Sequence, residues 1–191
     1  HSAMGTRRQE VYQFDRIEGF RHIIGLRYRL IPYLYSEYMK AAVRDEMMFR
    51  PLAFDYPEDR YALDVEDQLL LGEEIMLAPV YEQNARGRYV YLPEAMKMVR
   101  FCQDGTQKEE ILAVGHHYVE IPLTDVVFFI RPGRLVPLAG PAVCTQEIDF
   151  ENLTYISYVE KGEALYEYYR DDGYEKDYDN PDHITVIRVQ K

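Results

Sequence analysis

Tryptophan is absent from this chain, and cysteine occurs only twice, at Cys102 and Cys144. Two cysteines in 191 residues make no disulfide scaffold and no CxxC pair for zinc or redox exchange. Each reads as a small buried hydrophobe, a usage that fits a reducing, cytoplasmic location. Positive charge is also scarce: 22 Lys and Arg against 33 Asp and Glu leave a formal net charge of −11. Nucleic acid binding depends on clustered Lys and Arg, and an anionic membrane surface asks for the same, so neither is expected as a partner. No apolar run reaches the roughly 20 residues of a membrane span. No phosphate-binding glycine loop, Ser-His-Asp set or zinc spacing is present, and no cofactor or metal is expected.

Tyrosine is what the chain has in excess, 18 residues beside eight Phe. Its ring adds apolar area with a polar tip, which suits half-exposed strands and sugar-facing surfaces alike. With 47% hydrophobic residues the chain can build a core. Apolar residues recur at three and four from Phe14 to about Arg44 (Ile17, Phe20, Ile24, Ile31, Leu34, Tyr38, Ala42), the period of an amphipathic helix. Gln13 or Asp15 is expected at its start. Pro32 inside the pattern predicts a kink or two abutting helices near Leu30–Pro32.

A short strand is expected over Met47–Phe54, and a brief helix over Val65–Leu71 with Asp64 as N-cap and Gly72 just past its end. Beyond Gly72 the pattern becomes short, β-branched or aromatic runs divided by turn residues, beginning with Ile75–Val80 and ending with His183–Val189. Strands at that spacing predict an antiparallel sandwich.

Several segments are recognisable together. Arg27-Tyr28-Arg29-Leu30-Ile31-Pro32-Tyr33-Leu34-Tyr35 resembles the RYxLLPYLY helix of family 31 glycoside hydrolases. Met48-Phe49-Arg50-Pro51-Leu52-Ala53-Phe54 is similar to that family's MRPLFFEFP strand, and Asp67-Gln68-Leu69-Leu70-Leu71-Gly72 to its DQFLLG step. Met76–Val80, Val90–Pro93, Phe129–Gly133 and Asp171-Asp172-Gly173 match further steps in the family's order. The resemblance implies an α/β tail of a (β/α)8 barrel followed by an all-β antiparallel sandwich. Residues 1–72 would be the last part of the catalytic barrel, from the end of strand seven to the final helix. Residues 73–191 would be the C-terminal β-sandwich region, with a subdivision near 141.

The resemblance also implies a retaining exo-α-glucosidase acting on terminal α-glucosidic bonds, with an α-glucoside or oligosaccharide as substrate and the remainder of the barrel as partner. A homo-oligomer is allowed. Retention needs two carboxylates about 5 Å apart. In the family the nucleophile is the Asp of a WxDMNE-type motif and the acid/base is an Asp on a later strand; this sequence contains neither. No catalytic residue is therefore expected here, and the chain alone should be inactive.

His1 is the one substrate-binding candidate, because His1-Ser2-Ala3-Met4-Gly5 through Gln9-Glu10 resembles the family's RxHxxxGxxxQEP segment. There the imidazole donates to one sugar hydroxyl and accepts from another. The adjacent His116 and His117 would point to opposite faces of a strand, and a solvated turn is the preferred reading. Asp171, Asp172, Asp177, Asp179 and Asp182 lack EF-hand spacing and read as turn chemistry rather than a calcium site. Tyr166, Tyr168 and Tyr169 could offer a sugar-stacking platform, although cross-strand packing is their commoner use. Arg50 is expected in an ion pair. The alternative reading is a freestanding carbohydrate-binding or structural β-module.

Overall fold

Helical periodicity from Ile17 onward forms two abutting helices in the computed structural model, which describes residues 11–174 and 176–190. Helix α1 (Ile17–Arg29) ends at Leu30, and α2 (Ile31–Arg44) begins there with Pro32 in its first turn. In the first turn the missing N–H costs nothing, because those amides have no intrahelical acceptor. The start differs from expectation: Arg16 occupies the cap position of α1, without a side-chain cap bond.

Strand β1 (Phe49–Pro51) leads into two short helices, α3 (Leu52–Asp55) and α4 (Arg60–Asp64). The helix expected over Val65–Leu71 is instead strand β2 (Leu69–Leu71). A run of only three leucines carries no period, so its partner decides. Here β2 pairs antiparallel with β3 (Ile75–Leu77) across a turn in which Gly72 adopts φ +61°. The helical turn lies earlier in the chain, capped by Asp59, whose Oδ1 accepts from the amides of Tyr61 and Ala62.

The remaining strands are β4 (Gly87–Leu92), β5 (Met96–Phe101), β6 (Gln107–Leu112), β7 (Gly115–Glu120), β8 (Val126–Ile130), β9 (Arg134–Leu138), β10 (Thr154–Tyr158), β11 (Glu163–Tyr169) and β12 (Ile184–Gln190). Strand β6 was not foreseen. Its sequence, Gln107-Lys108-Glu109-Glu110-Ile111-Leu112, is mostly charged because it closes the edge of a sheet, where charge discourages edge-to-edge pairing.

Three sheets result: six strands in the order β1-β2-β3-β8-β5-β6, four in the order β10-β9-β11-β12, and the ribbon β4-β7. The six-stranded sheet is the central layer, and strict alternation along its strands divides the core in two. Leu71, Ile75, Val99, Phe101, Phe128 and Ile130 face α1, α2 and the four-stranded sheet. Leu70, Met76, Met96, Met98 and Phe129 face the ribbon and the short helices. The expected division at residues 72 and 73 falls in the β2–β3 turn, within this central sheet.

Candidate functional site

His1, the substrate-binding candidate, lies outside the described residues. The segments that resemble the family motifs meet one another in space. Arg131, at the end of β8, directs Nε to Glu94 Oε1 at 2.8 Å and Nη1 to Asp55 Oδ2 at 2.7 Å. Arg50 on β1 reaches the same Asp55 at 2.9 Å, which is the ion pair expected of it. Tyr56 donates to Glu94 and stacks beneath the Arg131 guanidinium. Burial, then the bond to Glu94, pushes the Tyr56 phenol well above its usual range. Gln68 acts as a peptide mimic: its amide donates to Tyr91 O and accepts from Tyr91 N, each at 2.7 Å, which fastens the ribbon to the start of β2.

A second cluster is buried where α2 meets the sandwich. Glu37 and Lys40 form an ion pair on one face of α2, and Tyr166 on β11 donates to Glu37 Oε1 at 2.9 Å. Glu74, in the β2–β3 turn, is only 3% exposed. Tyr33 has a single hydroxyl proton and two acceptors, Leu71 O at 2.5 Å and Glu74 Oε2 at 3.1 Å. Burial, then the Glu37 charge, pushes Glu74 up to about 7, against the opposing pull of Lys40, Arg134 and the Tyr33 hydroxyl. Both carboxylates are committed to holding α2 in place and neither faces an open cleft.

The other candidates separate cleanly. Tyr166, Tyr168 and Tyr169 are buried, which is the packing use preferred for them over a stacking platform: Tyr166 and Tyr168 belong to the core facing α2, and the Tyr169 amide donates to Ser36 Oγ of α2. Asp171 accepts from Tyr35 at 2.7 Å, Asp172 from the Tyr174 amide, and Asp177 from Asn180, which is turn and tether chemistry. Among the described residues no three His, Cys, Asp or Glu side chains assemble as a metal site. Cys102 and Cys144 are free. His116 lies on β7 rather than in a turn and packs 4.8 Å from the Tyr91 ring. An open groove of about 1320 Å³ lies between the β3–β4 and β7–β8 loops, lined by Pro79, Val80, Ile121 and Leu123 with Ile23 of α1. None of the candidate residues lines it.

Sequence reasoning overlooked the outward face of the ribbon, where Tyr89, Tyr91, His116 and Tyr118 stand together. The signal was there as alternation: Arg88-Tyr89-Val90-Tyr91-Leu92 puts every aromatic on one face and every aliphatic on the other.

The described residues form a β-rich domain with two helices docked on it. The model of the glycosyl hydrolase family 31 C-terminal domain matches residues 45–136, and that of the family 31 TIM-barrel domain matches residues 1–37. The chain belongs to glycoside hydrolase family 31, as a C-terminal portion of the α-glucosidase-like kind. Alpha-glucosidase 2 of Bacillus thermoamyloliquefaciens is 29% identical over 97% of this chain and 23% of its own length. Lysosomal alpha-glucosidase of Bos taurus is 29% identical over 91% of this chain and 20% of its own length. Among solved structures, a Flavobacterium johnsoniae GH31 dextranase superposes with a TM-score of 0.75 at 26% identity, over 96% of this chain and 22% of that one. The glucosidase II alpha subunit reaches 0.81 at 18% identity, covering 95% of this chain and 20% of that one, a likeness of fold. The chain thus spans about a fifth of the length of the relatives it matches.

Proposed function

We propose that this chain is the C-terminal part of a retaining exo-α-glucosidase, that it closes the catalytic barrel, and that it is inactive alone. The observation that carries the reading is the ordered pair of family matches, barrel model first and C-terminal model second, on a single continuous chain. The relatives are named alpha-glucosidases, and one structural relative is a dextranase complexed with isomaltotriose. All three names concern α-linked glucose. Helices α1 and α2 are the barrel tail in this proposal, and the chain passes from barrel to sandwich between the end of α2 and the turn at 72/73. Residue 141, near which a subdivision was expected, lies in the connection between β9 and β10, which are paired strands of one sheet.

The sequence lacks the family's nucleophile and acid/base motifs, and the buried carboxylates Glu37 and Glu74 are tied into a structural cluster. The chain's contribution to chemistry in this proposal is one substrate hydrogen-bonding side chain, His1, on its resemblance to the family's segment. The test pairs intact mass of the source polypeptide with hydrolysis of a chromogenic α-glucoside. A longer polypeptide should turn over, and His1→Ala within it should raise KM more than it lowers kcat. Turnover by the 191-residue chain by itself would overturn the proposal.

A further inference from the structure

The β4–β7 ribbon turns its aliphatic side chains inward, beside Arg88 and His117, and its tyrosines outward. Its inward face carries Val90, Leu92 and Val119, each at most 4% exposed. Its outward face runs Gly87 opposite Glu120, Tyr89 opposite Tyr118, and Tyr91 opposite His116, with no aliphatic side chain on it. Tyr89 is 72% and Tyr118 54% exposed, their rings edge-to-face at 5.2 Å. At one end Tyr61 of α4 stands over Tyr91 and His116, with ring centroids 5.4 and 5.2 Å away, and is itself 58% exposed. Asp59 anchors that end by accepting from Tyr91 at 2.6 Å. At the other end stands the Glu120 carboxylate, exposed to solvent.

From this we infer that the outward face of the β4–β7 ribbon is a binding site for an α-glucan chain, with Tyr89 and Tyr118 as the stacking side chains. The choice of α-linked glucose rests on the function proposed above; the choice of a carbohydrate rests on the face itself. No Lys or Arg points outward from these rungs, so an anionic ligand has nothing to pair with. Rings with polar tips, flanked by a carboxylate and an imidazole, offer apolar faces to the C–H side of a pyranose and acceptors to its hydroxyls. Tyr91 is buried beneath Tyr61, so the open rungs are Tyr89–Tyr118 and Gly87–Glu120, about 6.8 Å apart along the strand. Such a site would hold a polymeric substrate near the enzyme and raise the local concentration of its ends.

Native affinity electrophoresis of the 191-residue chain tests this, in gels containing dextran, amylose or a soluble β-glucan. The α-glucans should retard the chain, and Tyr89→Ala should weaken binding about tenfold or more, a loss of about 1.4 kcal/mol or more. Tyr155→Ala, on the other sheet, should leave mobility unchanged. Because removing one ring of a cross-strand pair can loosen the ribbon, amide shift mapping of the unsubstituted chain with maltotriose and isomaltotriose is the companion measurement; shifts should centre on Gly87–Leu92 and Gly115–Glu120. Retardation that survives Tyr89→Ala, shifts elsewhere, or no interaction with any glucan would overturn the site. Retardation by the β-glucan alone, lost with Tyr89→Ala, keeps the site and overturns the α-glucan assignment together with the reading it rests on.

Discussion

Arg131 holds three pieces of chain that are far apart in sequence, through Asp55, Glu94 and the carbonyl of Glu73. Replacing it with Met keeps most of the packing volume but leaves two partly buried carboxylates facing each other and Tyr56. Arg131→Met should lower stability by about 1.5–3 kcal/mol, the range for hydrogen bonds to charged groups, read as the urea midpoint shift at constant slope. Gly72 is constrained more tightly. At φ +61° only glycine is unstrained, and a Cβ there would collide with the Glu37 carboxylate and the Tyr33 hydroxyl. Gly72→Ala should cost more than about 1 kcal/mol and should loosen α2 as well as the hairpin. A urea midpoint equal to the unsubstituted chain's would contradict this.

At the scale of elements, the docking of α2 depends on a buried polar cluster. Tyr33, Glu37 and Lys40 come from α2, Glu73 and Glu74 from the β2–β3 turn, Arg134 from β9 and Tyr166 from β11. A carboxyl whose folded-state value is raised binds its proton more tightly folded than unfolded. Glu74 therefore adds stability fully below its ordinary value of 4.5 and loses that contribution as pH rises through about 7. Glu74→Gln should flatten the fall in melting temperature between pH 5 and pH 8 relative to the unsubstituted chain, measured by paired thermal scans in matched ionic strength. An unchanged slope would mean that Glu74 stays ionised in the fold.

The same scale shows what periodicity can and cannot deliver. The junction near Leu30 was legible because Pro32 interrupts a long three-and-four pattern, and most strands after Gly72 were legible because they alternate. Strand β2 was not, since three consecutive leucines fit a buried strand and a helix turn equally. Strand β6 was hidden by its charges, which belong to its edge position.

For the whole molecule, net charge of −11 keeps copies apart in low salt, while Ile23 at 41% and Leu123 at 82% exposure line an open apolar groove beside α1. Salt screens the repulsion and leaves the apolar attraction. Sedimentation velocity should show self-association of this chain rising with salt, and Ile23→Ser with Leu123→Ser should reduce it. A monomer at every salt concentration would show that the groove is not an associating surface.

Sequence alone determined the family, because ordered motifs are read in one dimension: Arg27–Tyr35, Met48–Phe54, Asp67–Gly72 and Phe129–Gly133 need no coordinates to be recognised. Charge likewise spoke against nucleic acid without a structure. Tertiary structure decided which tyrosines are spent and which are free. Tyr166, Tyr168 and Tyr169 could have offered a platform but lie beneath α2 or within the core, whereas Tyr89 and Tyr118 looked like ordinary strand residues and stand in solvent. Exposure depends on what another part of the chain places on top of a strand, and no local pattern records it. The raised value of Glu74 has the same origin: Tyr33 and Glu74, separated by 41 positions, share a buried hydrogen bond only after α2 has docked.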